Sequence, residues 1–243
     1  MGQEKQKQPR KIQDTTRISH RKRLCERLRR GGHMALHDYE LLELILFRAL
    51  PRRDVKPLAR DLLDRFGDLS GVMSAADARL LEVTGIGQEV ITEFRLTGAV
   101  ALNFGQSRIM HKPVLANWNQ MINYCRTKIA EKNREEFHVL FLDKKNHIIV
   151  DELMGSGTLD HAPVYPREVI KRALELNASA LILVHNHPSG DPTPSKADID
   201  MPNKLCALAS QFNIVVHDHL IIGRVDEVSF KNLGLLEPQA PNF

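Results

Sequence analysis

The spacing of apolar residues changes character along the chain. Between residues 36 and 104, apolar side chains recur at helical intervals in short stretches that end at glycine, as Leu58, Leu62 and Leu63 do before Gly67. From about residue 115, short apolar runs rich in Val, Ile and Phe alternate with helical stretches. The pattern predicts a small all-α domain followed by an α/β domain.

Seven elements are predicted in the C-terminal part from periodicity and turn residues. Mixed strands with helices packed around them indicate a three-layer α/β domain. The predicted elements, in chain order, are a helix over 117–130, strands over 137–142 and 148–153, a helix over 166–176, a strand over 180–184, a helix after Ser195 and a strand over 213–222.

Basic residues are concentrated at the N-terminal end. Residues 1–60 hold about 16 Lys and Arg against about 7 Asp and Glu, whereas the net charge of the whole chain is +4. Residues 1–18 are polar and basic with little apolar content, which predicts a flexible tail. A short helix ending at Gly31 is expected next, and its basic side chains either contact phosphates or form a solvated face. These side chains are Arg21, Lys22, Arg23, Arg27, Arg29 and Arg30.

A glycine hairpin joins two predicted helices near residue 86. Gly85, Ile86 and Gly87 precede a helix from Gln88 to about Ala101, an arrangement that resembles a helix-hairpin-helix DNA-binding motif. Backbone amides in such a turn can hold a phosphate without reading base sequence, so these three residues are predicted phosphate contacts. Ordinary turn chemistry is the alternative, which the acidic residues Glu89 and Glu93 favour.

The strongest chemical signal is the segment from His185 to Asp198. His185 and His187 end the apolar run of residues 180–184, and side chains two apart on a strand share a face, so both imidazoles can reach one ion. Pro188, Gly190, Pro192 and Pro194 then interrupt regular structure until Ser195. Ser195 and Asp198 resemble a capping box, which places Asp198 in the first turn of a helix.

Three converging ligands predict a metal site. Two imidazole nitrogens and one carboxylate suit Zn²⁺, and three protein ligands leave a position for water, as in catalytic zinc sites. The alternative is that Ser195 and Asp198 only begin a helix. The combination with His-x-His at this spacing favours His185, His187 and Asp198 as zinc ligands.

These residues also carry a family resemblance. The segment is similar to the JAMM motif of JAB/MPN metallopeptidases, and residues 115–235 resemble bacterial RadC proteins. One departure is Tyr165, where those proteins usually carry His. The stretches in RadC order are Phe141-Leu142-Asp143, Gly157-Thr158-Leu159, Pro166-Arg167-Glu168-Val169, Asn177-Ala178, His185 to Gly190, and Asp218 to Gly223.

The resemblance implies a fold, an activity and an arrangement of domains. It identifies the three-layer domain as a cytidine-deaminase-like JAB/MPN fold preceded by a small all-α helix-hairpin-helix domain. It also implies zinc-dependent hydrolysis of a peptide or isopeptide bond, with Ser195 stabilising the oxyanion. The expected divisions are a tail over 1–18, the helical domain over 19–104, a linker over 105–114 and the metal domain over 115–243.

The general base and the second histidine pair leave alternatives open. In JAMM enzymes a carboxylate at an early strand start accepts the proton of the water, and Glu135 is favoured over Glu136 for this role. His217 and His219 form another His-x-His in a predicted strand, with no third ligand following at a suitable spacing. Packing is their expected role, and support of the zinc ligands is the alternative.

Composition adds limits on location and partners. No apolar stretch reaches the roughly 18 residues of a membrane span and no signal-peptide core is evident, so we expect a cytoplasmic protein without membrane contact. Cys25, Cys125 and Cys206 lie far apart, which predicts reduced cysteines. The expected partners are a peptide or protein substrate and DNA. The alternatives are a DNA repair or recombination accessory with a structural or vestigial zinc site and, less favoured, a nuclease.

Overall fold

The computed structural model describes residues 10–110, 112–157 and 164–237 and divides into two compact units, Met1–Ala99 and Val100–Phe243. The first unit is helical, as the glycine-punctuated pattern predicts. Its helices are α1 (Arg10–Gly31), α2 (Asp38–Ala49), α3 (Lys56–Phe66), α4 (Leu69–Ser74), α5 (Asp77–Leu81) and the beginning of α6 (Gln88–Ile109).

Leucines at helical spacing fill the core of this unit. Leu42, Leu46 and Leu62 have no solvent exposure and Leu58 is 6% exposed, so α2 and α3 turn one apolar face inward. Helix α1 joins this core through the buried side chain of Leu24.

Two polar contacts hold α1 against α2. The Nε2 atom of His20 lies 2.6 Å from the Glu43 carboxylate, and Arg27 Nη1 donates to Glu40 at 2.5 Å. Both glutamates are buried, so each requires such a partner. Arg27 also donates to the Ala35 carbonyl, which removes it from the set of basic side chains expected to contact phosphate.

The predicted flexible tail is wrong for residues 10–18, because α1 begins at Arg10. Residues 1–9 lie outside the described part of the chain. Helix formation is cooperative, and no glycine or proline interrupts the sequence between Arg10 and Arg30. A helix anchored at Leu24 can therefore extend towards the N-terminus through polar residues. The predicted end at Gly31 is confirmed.

The predicted linker over 105–114 is also wrong in its first half. Helix α6 continues to Ile109, whose buried side chain belongs to the core of the second unit. The segment lacked helical periodicity because most of its side chains are exposed and only Ile109 is fully packed. His111 lies outside the described residues.

The second unit has a five-stranded sheet with strand order β2-β1-β3-β4-β5. Strands β3 and β4 pair in parallel, and the other neighbours are antiparallel. Its strands are β1 (Glu136–Leu142), β2 (Ile148–Ser156), β3 (Ala180–Asn186), β4 (Val215–Ile222) and β5 (Glu227–Ser229). Its helices, besides the end of α6, are α7 (Trp118–Ile129), α8 (Pro166–Glu175), α9 (Lys196–Ser210) and α10 (Phe230–Leu233).

Helices cover both faces of the sheet, which confirms the three-layer prediction. Ile182 and Val184 of β3 pack in the same cluster as α7, whereas Leu181 and Leu183 pack with α8 and α9. This alternation is what a strand buried on both faces requires. The seven predicted elements are confirmed, with their ends within about three residues. The short β5 and α10 were not predicted.

The connection from β3 through α9 to β4 positions the candidate site. Ligands in α/β sheets commonly bind beyond the carboxyl ends of parallel strands, where the loops that follow the strands gather. Strand β3 ends at Asn186, and residues 187–195 lead from there into α9.

Candidate metal centre

His185 and His187 stand at the carboxyl end of β3. His185 is on the face that carries α8 and α9, and its ring stacks on Phe137 of β1 at 6.0 Å between centroids. His187 lies just beyond the strand, and its amide donates to the carbonyl of Ile222. The two Nε2 atoms are 3.1 Å apart. The structure therefore aims both imidazoles at one point, as the two-residue spacing predicted.

The loop and the helix cap bring Asp198 to the same point. Gly190 takes a φ of +88°, which allows the loop to turn back, and its amide donates to the His187 carbonyl. The capping box is confirmed: the Asp198 amide donates to Ser195 Oγ at 3.2 Å, and the Ser195 amide donates to Asp198 Oδ2 at 2.7 Å. One carboxylate thus both caps α9 and faces the histidines.

The two imidazoles approach different oxygens of the Asp198 carboxylate. His185 Nε2 lies 3.3 Å from Asp198 Oδ1, and His187 Nε2 lies 3.4 Å from Asp198 Oδ2. With one donor atom taken from each residue, the three atoms lie within 4.8 Å of one another. Two imidazole nitrogens and a carboxylate suit Zn²⁺ in chemistry, and the three side chains are close enough to share one ion. Within the described ranges, this is the one group of three ligand-type side chains close enough to share an ion.

Burial of the three ligands is graded. The His185 side chain is 1% exposed, whereas those of His187 and Asp198 are 16% and 12% exposed. The site is therefore closed towards the sheet and open on the side of the loop, which leaves an approach for water and substrate.

A backbone carbonyl sets the tautomer of His187. Its Nδ1 lies 2.8 Å from the carbonyl oxygen of Asp191, and a carbonyl can only accept. Nδ1 must therefore carry a proton in this contact, so Nε2 is the ring nitrogen that can bind an ion once it is deprotonated.

His219 contacts the other ring nitrogen of His185. Its Nε2 lies 2.7 Å from His185 Nδ1, and both rings are buried. Burial, together with the neighbouring His185, lowers the pKa of His219 well below its usual value, so its ring is neutral and Nε2 can accept a hydrogen bond. Packing was the expected role for His219, and the structure adds this contact with a ligand. His217 instead contacts Asn146 at 2.7 Å.

Hydrogen bonds within the cluster shift the pKa values of Asp198 and His187. Burial alone would raise the pKa of Asp198, but contacts with His185, His187 and Ser195 hold the pKa well below its usual range. The hydrogen bond to Asp198 raises the pKa of His187 despite partial burial. The carboxylate is therefore ionised at neutral pH, as a metal ligand must be.

Glu135 and Glu136 are on opposite sides of the sheet. Glu135 immediately precedes β1, is 7% exposed, and contributes electrostatically to the raised pKa of His187. Glu136 instead contacts His138 Nε2 at 3.2 Å and Lys132 Nζ at 3.7 Å. Of the two carboxylates, Glu135 is the one placed on the ligand side.

Glu136 is linked through His138 to a polar cluster that was not predicted. Asp151 accepts from Tyr124 Oη and Lys128 Nζ, both at 2.8 Å, and contacts His138 Nδ1 at 3.0 Å. Burial would raise the pKa of Asp151, but the hydrogen bonds from His138 and Lys128 lower it below its usual value. Glu136 belongs to this separate network.

Tyr165, which departs from the family pattern, is the N-cap residue of α8. Its side chain is 62% exposed. Residues 158–163, just before it, lie outside the described part of the chain.

The hairpin at Gly85 turns as predicted, but not all of its backbone amides are available to a phosphate. Gly85 has a φ of +100°, and the amide of Ile86 donates to the Val83 carbonyl. Ile86 therefore does not offer its amide to a phosphate, which corrects the expectation for this residue and leaves Gly85 and Gly87. Arg53 Nη1 donates to the Gly85 carbonyl at 3.2 Å.

The acidic residues beside the hairpin differ in their contacts. Glu93 is paired with Arg48, so its charge is compensated. The Glu89 carboxylate lies against Gly87 and competes there with any anion.

Sequence comparison defines the family. A family described as "RadC-like JAB domain" matches residues 115–235, and one described as "UPF0758 N-terminal" matches residues 15–91. The chain is similar to a UPF0758 protein of Rhodobacter capsulatus, with 57% identity over 213 residues that cover 88% of this chain and 100% of the relative. A UPF0758 protein of Ruegeria pomeroyi is 55% identical over 217 residues, covering 89% and 97%.

The chain belongs to the RadC-like JAB domain family, UPF0758. The resemblance noted from the sequence motifs is thereby confirmed, as is the architecture of a helical N-terminal region followed by an α/β JAB domain. Among the described helices, none combines the length and apolar character needed to cross a membrane.

Proposed function

We propose that this protein is a zinc-dependent hydrolase that cleaves a peptide or isopeptide bond. The observation that carries the proposal is the convergence of His185 Nε2, His187 Nε2 and the Asp198 carboxylate, in which the two nitrogens are 3.1 Å apart and each lies 3.3–3.4 Å from one carboxylate oxygen. A structural zinc site usually has four protein ligands, whereas this set offers three and is open on one side. Zinc held there supplies a Lewis acid that activates water for attack on a carbonyl carbon.

Glu135 is the proposed general base. Its carboxylate accepts the proton of the attacking water and delivers it to the leaving nitrogen. Its position on the ligand side of the sheet and its electrostatic influence on His187 support this role. Glu136 is engaged with His138 on the other side.

Ser195 is the proposed oxyanion donor. Its Oγ accepts the amide hydrogen of Asp198, so its own hydroxyl proton remains to be donated. The residue is exposed at the mouth of the site. A hydroxyl there can donate to a carbonyl oxygen as negative charge develops on it.

The test compares two glutamates that are adjacent in sequence. Full-length protein with one zinc per chain is assayed on an internally quenched peptide library and on a glycyl-lysine isopeptide substrate. Glu135→Gln should lower turnover by about 10²-fold or more while zinc content stays unchanged. Glu136→Gln is the matched control and should keep turnover.

Two outcomes would contradict the proposal. If Glu136→Gln abolishes turnover while Glu135→Gln stays active, the assignment of the base is wrong. If the zinc-loaded wild type hydrolyses neither substrate class and Glu135→Gln captures no protein from a lysate, the alternative of a repair or recombination accessory with a non-hydrolytic zinc site becomes the better account.

We further propose that the N-terminal unit contacts DNA phosphates. The observation in favour is the positive-φ Gly85 turn at the start of α6, with the Arg53 guanidinium beside it. Amides at a helix start and an adjacent cation are a common way to hold phosphate. Glu89 opposes this role, so the contact is expected to be weak and independent of base sequence.

A further inference from the structure

Asn186 lies between the two histidine ligands and points to the opposite side of β3. Its exposed fraction is 0%. A buried side-chain amide needs hydrogen-bond partners for one acceptor and two donor hydrogens, because leaving them unpaired costs free energy of folding.

All the partners of Asn186 are in the segment that carries Glu135. Its Oδ1 accepts from the amide of Glu136 at 2.9 Å. Its Nδ2 donates to the carbonyl of Arg134 at 3.1 Å and to that of Lys132 at 3.3 Å. One side chain thus holds the peptide group before Glu135 and the peptide group after it.

Holding both peptide groups restricts the backbone of Glu135. The plane of the preceding peptide defines φ of this residue, and the plane of the following peptide defines ψ. The Glu135 carbonyl is held as well, because it accepts from the Gly157 amide at 2.9 Å. Glu135 is outside the regular part of β1, so these contacts replace some of the ladder hydrogen bonds that would otherwise orient it.

We propose that Asn186 is a positioning residue that fixes the Glu135 carboxylate relative to the metal ligands. The inference rests on the proposed hydrolase function. Asn186 follows His185 and precedes His187 in the chain, so any movement of the ligand strand is transmitted directly to the segment of the base. Asn186 therefore adds a direct side-chain link between the ligand strand and the segment of the base.

Asparagine suits position 186 better than other side chains of similar shape or chemistry. Aspartate keeps the shape and the acceptor but has no donor for the two carbonyls, and serine is too short to span both peptide groups. Leucine has a similar volume without polar atoms and leaves three backbone groups without their side-chain partner. Position 186 therefore requires a side-chain amide of the length of asparagine.

The kinetic test is a double-mutant cycle in the zinc-loaded full-length protein. Asn186→Ala should lower kcat by about 10²-fold with KM changed by less than about twofold, because misplacing a general base weakens the chemical step. In a Glu135→Gln background the same change should lower kcat by less than about threefold. An equal fall in both backgrounds would show that Asn186 does not act through Glu135.

A second readout does not depend on turnover. The Glu136 amide should be protected from hydrogen exchange in the wild type and lose at least about tenfold of its protection in Asn186→Ala, since its acceptor is removed. Retained protection at Glu136 in a folded variant would overturn the proposal. If the wild type shows no hydrolysis, the proposed function fails, and the exchange result still decides whether Asn186 holds this segment.

Asn203 provides a matched control. It makes the same three kinds of contact, donating to the carbonyls of Ile199 and Leu235 and accepting from the Glu237 amide, but away from Glu135. Asn203→Ala should leave kcat and the exchange of Glu136 unchanged. If Asn186→Ala does not fold, Asn186→Asp keeps the acceptor for Glu136, so kcat should fall while that amide stays protected. Wild-type kcat in a folded Asn186→Asp protein would refute the role of the two donated bonds.

Discussion

His185 Nδ1 and His219 Nε2 lie 2.7 Å apart in a buried contact between two parallel strands. In this contact one ring nitrogen donates and the other accepts. When His185 donates from Nδ1, its Nε2 is the nitrogen left to bind a metal, and His219 is then the acceptor that orients it.

Replacing His219 should therefore weaken zinc binding. His219→Phe keeps an aromatic ring against Phe137 and Phe230 but removes the acceptor, so zinc affinity should fall about 10–100-fold. His219→Gln, which retains an acceptor, should recover part of the loss. Competition with a chromogenic chelator measures the affinity, and the neighbouring His217→Ala is the control. Equal affinities in His219→Phe and wild type would exclude the orienting role.

Zinc content tests the ligands themselves. Purified wild type should hold about one zinc per chain, since three donors converge on one open site. His187→Ala should remove it, because two ligands remain. Asp198→Ala should lose metal as well and also destabilise the start of α9, since the same carboxylate accepts from the Ser195 amide. Full metal occupancy in His187→Ala would refute the ligand assignment.

The buried network around Asp151 predicts an acid-sensitive contribution to stability. Its pKa in the folded protein lies below the unfolded value of 3.8, so the unfolded state binds more protons between these two pKa values. Stability from this group is fully present above about pH 4 and is lost as pH falls through the folded pKa. Asp151→Asn should lower the free energy of unfolding at pH 7 by about 2 kcal/mol and flatten the acid side of the stability curve.

Thermal unfolding between pH 3 and pH 7 measures this effect. The control is Asp143→Asn, because Asp143 also has a lowered pKa but is an exposed turn residue. A parallel stability curve for Asp151→Asn and wild type would show that the network contributes nothing through ionisation.

Phosphate contact by the N-terminal unit predicts a salt-dependent affinity. The full-length protein should bind duplex DNA without sequence preference, and affinity should fall steeply between 50 mM and 200 mM salt. Arg53→Ala should weaken binding to all sequences and reduce the slope of log K against log salt by about 1. Arg60→Ala, an exposed arginine on α3, is the control. A DNA affinity that does not change with salt, or an equal loss of affinity in both variants, would argue against a contact at the hairpin.

The convergence of His185, His187 and Asp198 could be predicted from the sequence because their arrangement is local. Strand alternation places His185 and His187 together, and the capping box places Asp198 in the first turn of the next helix. Asn186 and His219 depend on which strands pair and in which register. His219 lies beside Leu183 in the parallel ladder, a relationship that no local spacing encodes.

The two helix ends that the sequence does not predict have a related cause. Polarity of residues 10–18 and the lack of periodicity in residues 105–109 favour unstructured chain, yet both stretches continue a helix that is anchored elsewhere. Leu24 and Ile109 supply those anchors through burial. Helix ends depend on such tertiary contacts more than on the local composition.

The loop between His187 and Ser195 is restricted by three prolines. Pro188, Pro192 and Pro194 each fix one backbone angle in this path, so few shapes of the loop exist even before α9 packs. A site built on such a loop would need little reorganisation to bind an ion, so most of the binding energy would remain available as affinity.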